Sequence, residues 1–278
     1  MSLGRLLICA TPLGQPSDAS SRLIAALEDA DVVAAEDTRR VRILAQSLAV
    51  RLTAKVVSLY DQNEASRVAG LLDEVRAGAT VLLVSDAGMP LISDPGYRLV
   101  RACIEAGLPV SCLPGPSAVT TALAVSGLPT ERFCFEGFAP RRQAARKTWL
   151  KTLAAEQRTC VFFESPRRLA GTLRDAVDVL GPDRRAVVCR EMTKTHEEIV
   201  RGTLSELAEW AGDGVLGEIT VVLAGAVLHA DIPTLVAEVN ALISDGVRIK
   251  DACAEVISQH PGAPSRRLLY EAVVRSRE

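Results

Sequence analysis

The sequence has no apolar run of membrane-spanning length and lacks the common nucleotide-binding motifs. Its apolar stretches, such as 81–84 and 220–223, span only a few residues, whereas a membrane helix needs about 20. No G-x-G-x-x-G follows the first predicted strand and no P-loop motif occurs, which argues against a dinucleotide site and a P-loop nucleotide hydrolase. The N-terminal segment also lacks the apolar core and cleavage site of a signal peptide. We therefore expect a cytoplasmic protein without membrane association.

Cysteine and histidine occur without the spacing of a disulfide framework or a metal site. The seven cysteines are odd in number, form no C-x-x-C pair and lie mostly in apolar stretches, which is typical of buried thiols in a reducing compartment. The three histidines, His196, His229 and His260, are far apart in the chain and do not have metal-ligand spacing. We therefore expect no metal.

Basic residues are clustered although the net charge of the chain is only −2. The clusters lie at 39–42, 141–151, 167–168 and 266–267. Local basic patches are typical of proteins that bind a polyanion, but a solvated helix face explains any single cluster better. The charge pattern therefore permits a nucleic-acid partner without requiring one.

Strand and helix patterns alternate through the first part of the chain. Five short apolar segments read as strands, at 6–9, 32–35, 56–58, 81–84 and 110–113. Strands separated by helices of this length predict a parallel sheet with right-handed crossovers. The segment Leu113-Pro114-Gly115-Pro116-Ser117 continues neither a strand nor a helix, so a domain boundary is expected there, with Ser117 capping the next helix.

The second half predicts a mixed sheet followed by helices. Its strand patterns lie at 133–136, 159–163, 186–189, 199–201 and 219–223. No helix pattern separates the third and fourth of these, so they are expected to form an antiparallel hairpin. We predict an α/β fold with an N-terminal α/β domain (1–114), a C-terminal α/β domain (115–228) and a helical extension (229–278). The extension is either a cap on the second domain or, through Arg266 and Arg267, a nucleic-acid-binding helix pair.

Polar loops follow four consecutive strands of the predicted parallel sheet. They begin at Thr11, Glu36, Asp61 and Ser85. Parallel strands share the edge at which their carboxyl ends lie, and open α/β sheets bind ligands there. The loop 85–96 is the most informative, because it holds two Asp, two Ser, two Gly and two Pro directly after a buried strand. We interpret it as a ligand loop, with an ordinary strand-to-helix connection as the alternative.

Two of these loops carry carboxylates suited to proton transfer. The adjacent Glu36 and Asp37 can act as a base or orient a hydroxyl. Alternatively, Asp37 or Thr38 only caps the next helix, and for Thr38 the cap interpretation is favoured. The segment Asp61-Gln62-Asn63-Glu64 is equally well a capped helix start or a substrate contact.

Eight motifs occur in the order and spacing of one known family. They are Thr11-Pro12-Leu13-Gly14, Ala35-Glu36-Asp37-Thr38-Arg39, 85–97, Pro114-Gly115-Pro116-Ser117-Ala118, Ser126-Gly127-Leu128-Pro129, Phe135-Glu136-Gly137-Phe138, Phe163-Glu164-Ser165-Pro166 and Arg190-Glu191-Met192-Thr193-Lys194. Over essentially its whole length, the chain resembles the small-subunit ribosomal RNA methyltransferase I family. Members of that family are cytidine 2′-O-ribose methyltransferases of the tetrapyrrole-methylase-like superfamily.

The resemblance implies an S-adenosylmethionine-dependent homodimer of two-domain subunits, with the cofactor between the domains. Its implied substrate is small-subunit ribosomal RNA, free or in the assembled subunit. By match to the family's motifs, the cofactor is expected at Pro12, Leu13, Asp86, Gly88, Met89, Ser117, Ala118 and Phe163.

The implied reaction also assigns roles to charged residues. A ribose hydroxyl must lose its proton when it attacks the sulfonium methyl group, and Glu36, Asp37 and Glu64 are the candidate acceptors. Lys194 is expected either to lower the pKa of the hydroxyl or to hold phosphate. The residues expected to bind the RNA backbone are Arg39, Arg141, Arg142 and Arg167.

Two other functions remain as alternatives. A small-molecule methyltransferase acting on a tetrapyrrole also needs a basic surface, because its substrate is polyanionic. A non-catalytic RNA-binding protein would use the basic C-terminal helices and would not bind S-adenosylmethionine. The motifs at 35–39 and 163–166 favour the RNA methyltransferase.

Overall fold

The computed structural model describes residues 4–226, 231–260 and 263–277. The predicted boundary between residues 228 and 229, His229 and the Pro261-Gly262 turn lie outside these ranges. Within them the chain forms two five-stranded sheets, one after the other along the sequence, followed by a group of helices. The α/β fold class is confirmed.

The first sheet is entirely parallel, as predicted. Its strands are β1 (Arg5–Cys9), β2 (Val32–Ala35), β3 (Lys55–Ser58), β4 (Thr80–Val84) and β5 (Val110–Leu113), in the spatial order β3-β2-β4-β1-β5. The connecting helices are α1 (Ser21–Asp29), α2 (Thr38–Ser47), α3 (Asp61–Arg76) and α4 (Tyr97–Glu105).

Helices cover both faces of this sheet. Successive side chains of a strand point to opposite faces, so Leu82 packs towards Leu23 and Leu27 of α1, while Leu83 packs towards Leu99 of α4. Burial on both sides explains why β2 and β4 are continuous apolar runs rather than alternating ones.

The second sheet is mixed. Its strands are β6 (Phe133–Phe138), β7 (Thr159–Glu164), β8 (Arg185–Arg190), β9 (Glu198–Thr203) and β10 (Ile219–Leu223), in the order β6-β7-β10-β8-β9. β6 and β7 are parallel and the other neighbours are antiparallel, which confirms the predicted β8–β9 hairpin. Its helices are α5 (Ala118–Ser126) on one face, and α6 (Gln143–Thr152), α7 (Pro166–Leu180) and α8 (Leu204–Trp210) on the other.

Local signals set most helix ends. Ser20 caps α1 by accepting a hydrogen bond from the Leu23 N–H at 3.1 Å, and Gly78 follows the last residues of α3 in the left-handed region, with φ of 101°, where glycine is favoured. The interpretation of Thr38 as a cap was wrong. Asp37 is the cap of α2, because it has extended backbone and its carboxylate accepts from the Arg39 N–H at 2.8 Å.

The C-terminal helices have an apolar core of their own. They are α9 (Ile232–Ser244), α10 (Ile249–Gln259) and α11 (Arg266–Arg275), and Leu235, Val239, Val256 and Leu269 are buried among them. The division of the chain into three domains at residues 114 and 228 stays a prediction. No helix in the described ranges combines the length and apolar character that crossing a membrane requires.

Candidate active site

A cavity of about 370 Å³ opens between the two sheets. The first sheet contributes the loops after β1, β2 and β4, and the second half of the chain contributes the first turns of α5 and α7, the end of β7 and the start of β10. The volume lies within the range of small-molecule sites. Carboxyl ends of parallel strands thus form one wall, as the sequence predicts.

Most of the predicted cofactor residues meet in this cavity. Seven of the eight predicted residues line it, namely Leu13, Asp86, Gly88, Met89, Ser117, Ala118 and Phe163. Pro12 is buried next to Leu13 but does not belong to the lining. Segments from both halves of the chain therefore form one site.

Backbone hydrogen bonds join the loop after β1 to the loop after β4. The Thr11 N–H donates to the Gly88 carbonyl at 2.8 Å, and the Gly88 N–H donates to the Thr11 carbonyl at 3.0 Å. Gly88 has φ of 81°, and a Cβ there would lie 3.2 Å from a methyl carbon of Leu13. Glycine is required because the backbone is left-handed and the contact is close. The two loops form one rigid wall of the cavity.

The first turn of α5 forms part of the cavity lining. Ser117 occupies the cap position as predicted, but its side chain makes no cap hydrogen bond. The first N–H groups of a helix have no partner within the helix, and they favour an anion. Since Ser117, Ala118 and Val119 line the cavity, this helix end suits a carboxylate or phosphate group.

Three carboxyl groups line the cavity. They belong to Glu36, Asp86 and Asp94. Asp86 accepts a hydrogen bond from the Asp37 N–H at 3.0 Å and lies 3.5 Å from the Arg40 guanidinium. Arg40 therefore compensates the charge of Asp86 directly.

Burial and mutual repulsion change the proton affinity of these groups. Burial and the nearby Asp86 carboxylate raise the pKa of Glu36. Burial, followed by repulsion from Glu36, raises the pKa of Asp94 to about 7, because a charged carboxylate is disfavoured in a partly buried, negative environment. Asp94 is thus a carboxyl group that exchanges its proton near neutral pH.

The other predicted proton acceptors lie outside the cavity. Asp37 caps α2 and pairs with the exposed Arg39 at 2.6 Å, and the hydrogen bonds from Arg39 lower the pKa of Asp37. Glu64 is buried, and its Oε1 accepts from the Gly96 and Arg98 N–H groups at 3.1 and 2.8 Å. Glu64 therefore caps α4, and neither carboxylate is free to face a ligand in the cavity.

Lys194 lies beside the cavity rather than in its lining. Its Nζ is 2.9 Å from Glu191 Oε1 and 3.0 Å from Glu218 Oε2, and Glu218 does line the cavity. Burial opposes the ammonium charge, but these two ion pairs raise the pKa of Lys194. Lys194 remains protonated and holds Glu218 at the cavity edge.

The predicted RNA-binding arginines are exposed. Arg39 lies in the first turn of α2, Arg141 and Arg142 lie between β6 and α6, and Arg167 lies in the first turn of α7. They lie on segments that adjoin the cavity, since Arg40, Phe138 and Pro166 line it.

Several lining residues were not predicted as functional. They include Arg40, Asp94, Phe138 and Glu218. Asp94 is the second aspartate of the predicted ligand loop 85–96, so the sequence offered a reason to include it among the candidate site residues. The sequence gives no comparable signal for Glu218, since its position depends on β10 packing between β7 and β8.

Comparison with known proteins identifies the class to which this fold and site belong. The family model for Tetrapyrrole (Corrin/Porphyrin) Methylases matches residues 5–208. The crystal structure of uroporphyrin-III C-methyl transferase from Thermus thermophilus complexed with S-adenyl homocysteine has a TM-score of 0.55 at 21% identity. The match covers 80% of this chain and 97% of that one. At this identity the likeness shows the fold. The chain is a methyltransferase of the tetrapyrrole methylase class, with S-adenosylmethionine as methyl donor.

Relatives of higher identity define the family within that class. Ribosomal RNA small subunit methyltransferase I of Mycobacterium tuberculosis (strain CDC 1551 / Oshkosh) is 66% identical over 277 residues, covering 100% of this chain and 97% of the relative. The protein of the same name from Escherichia coli O157:H7 is 41% identical over 263 residues, covering 93% and 91%. The chain belongs to the ribosomal RNA small subunit methyltransferase I family.

Proposed function

We propose that this protein transfers a methyl group from S-adenosylmethionine to the ribose 2′-oxygen of a cytidine in small-subunit ribosomal RNA. The observation that carries the proposal is the 66% match over 277 residues to relatives of that name. It includes every segment that lines the cavity. The 2′-oxygen and the cytidine come from the family resemblance of the sequence motifs.

The cavity suits the methyl donor chemically. The sulfonium and ammonium groups of S-adenosylmethionine are cationic, and Glu36, Asp86 and Asp94 supply negative charge in the cavity. The free N–H groups at the start of α5 suit its carboxylate. Leu13, Met89 and Phe163 provide apolar surface for the remainder. Bound there, the donor supplies an electrophilic methyl group.

Within this site we assign proton removal to Asp94. The ribose hydroxyl is a weak nucleophile, and a base with a pKa near the working pH is the most effective proton acceptor. Asp94 has such a pKa and faces the cavity, whereas Asp37 and Glu64 are engaged in helix caps. Glu36 contributes by raising the proton affinity of Asp94.

The resemblance also supports assignments beyond the catalytic site. We infer a homodimer, a cytoplasmic location and an RNA backbone bound by Arg39, Arg141, Arg142 and Arg167. Sedimentation of the purified protein at micromolar concentration should give the mass of two chains, and a single-chain mass would contradict the dimer.

The proposed activity is tested with labelled S-adenosylmethionine. The purified protein is incubated with unmethylated small ribosomal subunits and, separately, with the free RNA, and labelled nucleotides are mapped. Label on the 2′-oxygen of one cytidine is the expected result. Label on a base would contradict the ribose assignment, and cofactor binding without transfer to either RNA would favour a small-molecule methyltransferase.

A further inference from the structure

An exposed aromatic side chain stands at the rim of the cavity. Phe138 lines the cavity although 57% of its surface is exposed. The chain has only five phenylalanines, and burial of an aromatic ring is a large part of its contribution to stability. Phe138 gives up most of that contribution, so packing within the chain does not explain its placement.

A β-bulge places this ring on the cavity side. Phe135 pairs with Val161 and Phe138 pairs with Phe163, so Glu136 and Gly137 together oppose the single residue Phe162. In a regular strand, residues three apart point to opposite faces. The extra residue returns Phe138 to the face of Phe135, and bulges commonly re-aim a side chain beside an active site. Gly137, with φ of 69°, provides the left-handed backbone.

The ring packs against one other aromatic ring, Phe163, which in turn packs against Phe135. Phe163 packs edge-to-face against Phe138 at a centroid distance of 5.4 Å and against Phe135 at 5.0 Å. The contact with Phe163 supports one side of the Phe138 ring and leaves much of its surface open. A rigid, partly exposed ring is the form of side chain on which an unstacked base is held in RNA recognition.

Positively charged side chains near Phe138 can bind the phosphate groups of a nucleotide. Arg141 and Arg142 follow Phe138 by three and four residues, and both are exposed. Arg167 is exposed next to Pro166, which lines the same cavity. Guanidinium groups bind the phosphates, while the ring offers a surface for the base.

We propose that Phe138 is the stacking surface for the base of the methyl-accepting nucleotide, holding it at the rim while its ribose enters the cavity. This role rests on the proposed function, because it requires an RNA substrate. Phe138 is a positioning residue, since stacking holds the nucleotide and takes no part in bond making.

The test compares three variants in methyl transfer to unmethylated small subunits. Phe138→Ala should lower kcat/KM for the subunit about 10- to 100-fold, as expected for loss of one base–aromatic stack. Phe138→Trp should stay within about threefold of the wild type, because it keeps a flat ring. Phe133→Ala is the matched control, because Phe133 lies on the same strand, is 39% exposed and does not line the cavity. It should behave as wild type.

Two further readouts separate stacking from other roles. The dissociation constant for S-adenosylmethionine without RNA and the sedimentation mass should both be unchanged in Phe138→Ala. Weaker cofactor binding would instead indicate that the ring contacts S-adenosylmethionine. An altered mass would indicate that the ring contacts a second copy of the chain. Either result overturns the proposal, as does full activity of Phe138→Ala or equal loss in Phe138→Trp. Absence of transfer by the wild-type protein would refute the proposed function itself.

Discussion

Asp94 and Glu36 show how neighbouring side chains set the chemistry of a single residue. Their loops follow different strands, β2 and β4. In the cavity the two carboxyl groups and Asp86 approach each other, and Arg40 pairs with Asp86 at 3.5 Å. Burial, with repulsion from Glu36 added to it, raises the pKa of Asp94 to about 7. The proton affinity of Asp94 therefore depends on where the fold buries it and on the charge of Glu36 beside it.

Replacing Asp94 tests its role as proton acceptor. Asp94→Asn should reduce kcat at least about 100-fold, since a general base commonly contributes 10²- to 10⁴-fold. In the wild type, methyl transfer should rise with pH through about 7, because Asp94 accepts a proton only when it is deprotonated. The pH profile of single-turnover transfer measures both effects.

Glu36→Gln is the companion variant, because it removes repulsion without removing Asp94. The midpoint of its pH profile should move to lower pH while most activity at high pH remains. An inactive Glu36→Gln beside an active Asp94→Asn would transfer the acceptor role to Glu36.

At the scale of elements, helix caps account for two carboxylates that the sequence left ambiguous. Asp37 begins α2, and Glu64 reaches from α3 to the first turn of α4. The cap of α4 is unusual because Gly96, the residue at its cap position, has no side chain. A buried carboxylate from another helix replaces the usual serine or aspartate. α3 and α4 are thus joined by polar as well as apolar contacts.

Glu64→Ala should destabilise the fold rather than impair methyl transfer directly. The two N–H groups would lose their acceptor, at a cost of about 1–3 kcal/mol. The melting temperature should fall by about 2–4 °C per kcal/mol, with the affinity for S-adenosylmethionine nearly unchanged.

Two variants serve as controls for this loss of a cap. Glu64→Gln keeps an acceptor oxygen and should lose less stability. Glu105→Ala removes a carboxylate from the exposed pair with Arg101 on α4 and should have little effect. If Glu64→Ala kept its melting temperature but lost methyl transfer, the capping explanation would be wrong.

At the scale of the whole molecule, the distribution of charge matters more for binding RNA than the net charge does. The net charge of −2 does not favour a polyanion, yet exposed arginines lie on three elements around the cavity. The C-terminal helices carry a second basic pair, Arg266 and Arg267, of which Arg267 pairs with Glu271 at 3.2 Å. We expect the surface around the cavity to supply the main phosphate contacts.

Salt dependence of subunit binding distinguishes the two basic surfaces. Each phosphate contact adds about 0.7–0.9 to the slope of log K against log salt. The double variant Arg141→Ala/Arg142→Ala should therefore reduce the slope by about 1.4–1.8, and Arg266→Ala/Arg267→Ala should leave it nearly unchanged. The opposite result would assign RNA binding to the C-terminal helices.

Much of the fold was predictable because its signals are local. The bounds of β2, β5 and β10 agree with the apolar segments at 32–35, 110–113 and 219–223, and the other strands differ by a few residues at their ends. The β8–β9 hairpin was predicted because only a short stretch of sequence without a helix pattern separates its two strands. The cap of α2 was misassigned because Asp37 and Thr38 are both good caps, and only the backbone conformation decides between them.

The sequence by itself determined the α/β class, the parallel sheet and the loops that build the site, because strand period, helix caps and turn residues act over a few neighbouring positions. The tertiary structure alone decided which carboxylates face the cavity. Glu36 and Asp94 come together, and Glu64 turns away to α4, through the packing of elements distant in the chain. It also placed Phe138 at the rim, since one extra residue in β6 reverses the face on which a side chain lies.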